Sequence, residues 1–145
     1  MTEPKLTVDE LVRLLSAEFP QMLSPESGLT IEQVWFGGAL LRQAFRKPSL
    51  RPGDTISGAT IMALGDYAMY VALLASIGWV PLAVTTNLSV NFLRKPPPGD
   101  LIAECKLLKL GKRLAVGEVT IRPEATDDGG AHTVAHVTST YSIPR

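Results

Sequence analysis

Chemistry in this 145-residue chain is best sought where a carboxylate meets apolar surroundings. Asp66 is the one formal charge in the stretch ISGATIMALGDYAMYVALLAS, residues 56–76. A carboxylate there must be paired, hydrogen-bonded or solvated at a site. Upstream, Ser57 is placed to cap a helix, its side-chain oxygen accepting from the first turn. The N–H groups of Gly58 and Ala59 then point out of the helix's positive end. Such donors suit an anion, or the developing oxyanion of acyl transfer, and Gly58 lets a carbonyl come close. Asp66 can then act as nucleophile or as general base for water. The same residues equally describe an interfacial Asp held by hydrogen bonds with no chemistry, and both readings stand at this point.

Other reactive groups offer less. His132 and His136 are the only histidines, and four residues of strand separate them by about 13 Å. Zinc–nitrogen bonds are about 2 Å, so one metal cannot use both, and no metal site is expected. Cys105, the only thiol, excludes a disulfide framework within the chain and a closed Cys/His zinc site. It reads as a buried structural cysteine and fits a reducing, cytoplasmic setting. No GxSxG elbow, GxGxxG turn or P-loop is present, so serine-hydrolase, dinucleotide and NTPase readings lose their usual support.

The elements that must position Asp66 follow from patterning. With 46% hydrophobic and 19% charged residues, one globular core is expected. Fourteen basic and fourteen acidic residues cancel, which points away from nucleic acid and anionic membrane and toward an oligomer interface. Leu6 to Phe19 is an amphipathic helix opened by a Thr7/Glu10 capping box and stopped by Pro20. Leu29–Trp35 and Ala39–Phe45 read as a hairpin, and residues 46–55 as a loop carrying Arg46, Lys47 and Arg51. The long helix follows. Strands are expected at Leu82–Leu93, Leu101–Leu110, Leu114–Arg122 and Ala131–Ile143, with a tight turn at Gly111-Lys112-Arg113 and another over residues 123–130. A membrane span over Ser57–Leu82 is rejected. Asp66 is costly there, the run breaks at Gly78-Trp79-Val80-Pro81, and no basic cluster flanks it. The expected organisation is an N-terminal helix and loop, 1–28, then a single α+β domain, 29–145. In that domain a curved, mostly antiparallel sheet wraps the long helix.

At these residues the chain resembles the hotdog-fold thioesterases of the phenylacetate-degradation (PaaI-like) group. The likeness rests on the register from Ser57-Gly58-Ala59 to Leu64, Asp66 and Ala68. It continues in the strand from Ala83 to Pro96, the Gly99-Asp100 pair and the Gly111-Lys112-Arg113 turn, and covers about residues 29 to 143. The family carries a His-Gly-Gly-type turn with an acid nine residues after the His. Here Ser57 stands in place of the His and Ala59 in place of the second Gly.

The resemblance implies a homodimer with a continuous sheet, often paired into a tetramer. It implies sites at the dimer interface, acyl-CoA or acyl-carrier thioester substrates, and no cofactor beyond the coenzyme A of the substrate. By position, Asp66 matches the catalytic acid and Gly58 the glycine whose N–H binds the thioester oxygen. Thr85 falls about where a Ser or Thr helps hold water or the acid. Ser57 and Ala59 flank the substrate. Arg94, Lys95, Lys112 and Arg113, at strand ends, are expected to meet the phosphates. Phe36, Tyr67, Tyr70 and Trp79 are candidates to line an acyl pocket. Two alternatives remain. One is an acyl-binding or regulatory hotdog protein without catalysis. The other is a hotdog hydratase or dehydratase, which needs a His beside the acid.

Overall fold

The computed structural model describes residues 3–53, 55–124 and 132–144. Helix α1 (Val8–Glu18) is followed by β1 (Leu29–Trp35), β2 (Gly38–Gln43), a 3-10 turn (Lys47–Ser49), β3 (Leu50–Arg51) and β4 (Thr55–Ile56). Then come α2 (Gly58–Ile77), β5 (Val84–Phe92), β6 (Leu101–Leu110), β7 (Leu114–Pro123) and β8 (Ala135–Ser142). The six longer strands form one sheet in the order β1-β2-β6-β7-β8-β5, and every neighbouring pair is antiparallel. This is the antiparallel sheet around a long helix that the element order predicts, and the hotdog architecture that the resemblance implies.

The α1 capping box forms as expected, with Glu10 N–H donating to Thr7 Oγ1 at 3.2 Å and Thr7 N–H donating to Glu10 Oε1 at 3.0 Å. Leu11 and Leu15 of this helix are fully buried in the same core as the sheet. Twelve of the twenty residues of α2 are buried. The helix is long and apolar enough to cross a membrane, yet the sheet wraps it. Two close approaches show how tightly. A Cβ added at Gly65 would lie 3.0 Å from Val137 Cγ2, and one at Gly117 would lie 2.6 Å from Met69 Sδ. Small residues on both sides let the helix backbone sink into the concave sheet face.

Several boundaries differ from expectation, among them β2, which spans Gly38–Gln43 rather than Ala39–Phe45. The loop at 46–55 contains the 3-10 turn and a two-residue ladder, Leu50 with Ile56 and Arg51 with Thr55; strands this short show no alternation. β5 begins at Val84 because residues 81 and 82 form a turn. The last strand begins at Ala135. The expected start at residue 131 and most of the expected turn at 123–130 lie outside the described residues, and Pro123 itself ends β7.

Candidate active site

Asp66 sits in the third turn of α2, on the side that meets the far edge of the sheet. Two hydroxyls converge on it. Thr85 Oγ1 donates to Asp66 Oδ1 at 2.7 Å, and the Tyr141 hydroxyl donates to the same oxygen at 2.8 Å. Thr85 on β5 and Tyr141 on β8 are cross-strand partners, and the register shifts between Thr85 and Asn87. That bulge places one extra residue, Thr86, in β5. It lets Thr85 face the helix while Leu88 and Val90 still pack on the core. Tyr141 is 3% exposed. Burial first, and the nearby Asp66 carboxylate second, push its hydroxyl well above the usual phenol range. It is therefore a donor, never a base, under working conditions.

The carboxylate opens onto a cleft of about 580 Å³ lined by Glu18, Phe19, Tyr67, Tyr70, Leu82 and Val84, among others. Phe19 meets Tyr67 and Tyr70 edge-on, each pair with ring centroids 6.2 Å apart. Tyr70 stacks on Tyr141 at 6.0 Å. Of the four aromatics expected at an acyl pocket, Tyr67 and Tyr70 line this cleft, whereas Phe36 and Trp79 are not among its lining residues. Phe36 lies in the β1–β2 turn and Trp79 follows the end of α2. Phe19, the last residue of the expected α1 stripe, is the aromatic that periodicity assigned only to the core.

Gly58 is the first residue of α2. Ser57 is its N-cap, with Oγ accepting from Thr60 N–H at 3.3 Å and lying 3.0 Å from Thr60 Oγ1. Among the described residues no hydrogen bond occupies the N–H groups of Gly58 or Ala59. Gly58 borders a basin of about 370 Å³ lined also by Arg51, Phe92, Arg94 and Lys95. Ala59 faces a different hollow, with Thr60 and Arg46.

One chain does not bring all these groups together. Eight residues of helix put Gly58 and Asp66 about 12 Å apart along the axis. The cations divide as well. Arg94 and Lys95 stand at the Gly58 end of the sheet. Lys112 and Arg113 stand at the opposite strand ends, where Leu114 pairs with Ser142 and Val84 also pairs with Ser142. The histidines are elsewhere. His136 lies 3.2 Å from Glu118, and His132 precedes β8; neither is among the lining residues of the Asp66 cleft. Cys105 is buried, with its thiol 4.0 Å from Met69 Sδ, and burial pushes it up to about 12. Among the described residues no group of three or more His, Cys, Asp or Glu could hold a metal ion.

Tyr141 is the site residue that sequence reasoning missed. Alternation along β8, with Ala135, Val137, Ser139 and Tyr141 all buried, would have turned its ring inward. Only the register between β8 and β5 aims it at Asp66.

Comparison with known proteins agrees with this architecture. The family model described as the thioesterase superfamily matches residues 53–129. A proposed thioesterase from Silicibacter sp. TM1040 is 39% identical, with a TM-score of 0.85 over 99% of this chain and 95% of its own. A proposed esterase of Saccharolobus solfataricus is 27% identical over 142 residues, 98% of this chain and 89% of its own length. The PaaI protein of the E. coli phenylacetic acid degradation operon is 18% identical, with a TM-score of 0.76 over 96% of this chain and 97% of its own, and so shares the fold. The chain whose central helix carries Gly58 and Asp66 thus belongs to the thioesterase superfamily of hotdog-fold hydrolases.

Proposed function

We propose that this protein hydrolyses an acyl-CoA or acyl-carrier thioester to a carboxylic acid and a free thiol, with Asp66 as the reacting carboxylate. The observation that carries the reading is Asp66 itself, held at 2.7 Å by Thr85 on the wall of an aromatic cleft. Two routes share one balance, thioester plus water giving acid plus thiol. In one, the carboxylate attacks the carbonyl carbon and the thiolate leaves; one water then splits the mixed anhydride into the acid and the free Asp66 carboxylate, and one of its protons goes to the thiolate. In the other, Asp66 takes a proton from the attacking water and that proton passes to the departing thiolate. Both put negative charge on the thioester oxygen, and the Gly58 N–H is the donor proposed to meet it. Water is the only co-reactant.

The separation of about 12 Å along α2 is too long for Gly58 and Asp66 of one chain to serve one carbonyl. The reading therefore pairs Asp66 of one copy with Gly58 of a second. β5 supports such a pairing. It is an edge strand with no Pro or Lys to protect it. Val84 and Phe92 at its two ends are more than half exposed, as are the flanking Leu82 and Leu93. Antiparallel self-pairing over Val84–Phe92 is centred on Leu88 and sets the Thr85 end beside the Phe92 end of the other copy. Phe92 is the side chain next to Gly58, its Cζ 3.3 Å from where a Gly58 Cβ would stand. The same pairing carries Arg94 and Lys95 toward the Asp66 cleft of the other copy, where they suit the phosphates of coenzyme A.

The test is thiol release from short, medium, long and aromatic acyl-CoAs by wild type and Asp66→Asn. Turnover that disappears in a folded Asp66→Asn supports the reading and names the acyl class. No release by folded, oligomeric wild type refutes the acyl-CoA hydrolase and moves the assignment to a carrier-protein substrate or to acyl binding alone.

A further inference from the structure

We propose that Tyr141 is a positioning residue for Asp66, holding one carboxylate oxygen jointly with Thr85 so that the other is presented to the cleft. This rests on the hydrolase reading above and adds a residue to it. Both hydroxyls donate to Oδ1, at 2.8 and 2.7 Å. Among the described residues no hydrogen bond reaches Oδ2. The Tyr141 hydroxyl also lies 3.3 Å from the Asp66 backbone carbonyl. It is thereby tied to the helix backbone as well as to the side chain. A carboxylate held through one oxygen by two donors cannot rotate freely, and its remaining oxygen keeps a fixed direction. Fixed direction is what attack on a carbonyl carbon, or on the proton of a placed water, requires.

The frame around Tyr141 is itself anchored. Its ring stacks on Tyr70 at an interplanar angle of 27°. The Tyr70 hydroxyl donates to the Pro81 carbonyl at 2.8 Å, which fixes the turn leading into β5 and therefore Thr85. The bulge at Thr86 completes the arrangement, since without the extra residue Thr85 could not face inward opposite Tyr141. Burial keeps the Tyr141 hydroxyl protonated, so the donor is permanent.

The test compares wild type, Tyr141→Phe, Thr85→Val and the double variant with an acyl-CoA that wild type hydrolyses. Tyr141→Phe keeps the ring and its stacking. Its kcat is expected to fall on the order of ten- to a hundred-fold, as for loss of a hydrogen bond to a charged group, with KM within about twofold and the unfolding midpoint within roughly a few degrees. The double variant loses more than the product of the two single losses, because each hydroxyl is the other's backup on one oxygen. Wild-type kcat in Tyr141→Phe, while Asp66→Asn is inactive, overturns the assignment and leaves the hydrolase reading intact. An inactive wild type refutes the hydrolase reading, and the role of Tyr141 falls with it. A second measurement does not depend on how the Phe variant folds. In wild type the Tyr141 hydroxyl proton is a slowly exchanging downfield NMR signal that moves upfield in Asp66→Asn; its absence from wild type overturns the assignment.

Discussion

Subunit complementation tests the two-copy site directly. Asp66→Asn removes the reacting carboxylate. Gly58→Pro removes the proposed oxyanion donor and little else, because three local features favour the substitution. Position 58 is the first residue of α2, where a helix tolerates proline best. Ser57, at φ −68° and ψ 151°, already has the extended conformation that a residue before proline prefers. A Cβ there meets only the end of the Phe92 ring, at 3.3 Å, and that ring needs to give by only a few tenths of an ångström. Stability is therefore expected to change by less than about 1 kcal/mol. Loss of one oxyanion donor costs about 10²- to 10³-fold in kcat, or roughly 3–4 kcal/mol. Each variant alone is then close to inactive.

Mixed in equal amounts and allowed to exchange, the two variants give mixed dimers in about half of the population for a two-fold assembly. Each mixed dimer has one intact site, built from Gly58 of the Asp66→Asn copy and Asp66 of the Gly58→Pro copy. Activity should recover to about one quarter of wild type, against about one per cent or less for either parent. The assay is thiol release after exchange, with mass spectrometry of labelled subunits showing that exchange occurred. Demonstrated exchange without recovery refutes the two-copy site. A Gly58→Pro variant with wild-type kcat refutes the Gly58 N–H as oxyanion donor.

Two further outcomes are expected. Asn87→Asp combined with Ser89→Asp, both exposed on the outer face of β5, sets two pairs of opposed carboxylates across the proposed β5 pairing, each about 5 Å apart; it should yield monomers in sedimentation and abolish thiol release while leaving every residue of the Asp66 cleft in place. For Cys105, the raised value means that the native state resists ionisation while the unfolded chain ionises from about pH 9. Its stabilising contribution is complete below that pH and is lost as the pH rises toward about 12, at about 1.4 kcal/mol per unit. Denaturant titration across that window should show a steeper loss for wild type than for Cys105→Ala. Equal slopes would refute a buried, inert thiol.

Local chemistry in the sequence was enough to place most of the frame. The Thr7/Glu10 box, the Ser57 cap and the unbroken apolar run after it fixed both helices, because capping and composition act within a few residues. The alternating strands were equally legible. What stayed hidden depends on register between distant segments. Tyr141 lies 75 residues from Asp66, and its inward side was readable from β8 alone, but its partner was not. Phe19 looked like one more residue of an amphipathic stripe, and only the docking of α1 against the Tyr67 and Tyr70 rings makes it a cleft wall. Arg94 and Lys95 looked equivalent to Lys112 and Arg113, since all four end strands; sheet order separates them to opposite ends.

The position where the chain departs from the family pattern illustrates how the helix start divides its tasks. Ser57 gives its side-chain oxygen to Thr60 N–H and its hydroxyl to an exchange with Thr60 Oγ1. That cap stabilises the helix by about 1 kcal/mol and satisfies the third N–H of the turn, leaving the first two directed outward. A histidine in the same place would surrender the cap while supplying a cation or a proton. Here the positive field at the helix start instead comes from the backbone dipole and from Arg51, Arg94 and Lys95 around the adjoining basin. In the proposed reaction the helix start supplies N–H donors and a positive field, and proton movement is left to Asp66 and water.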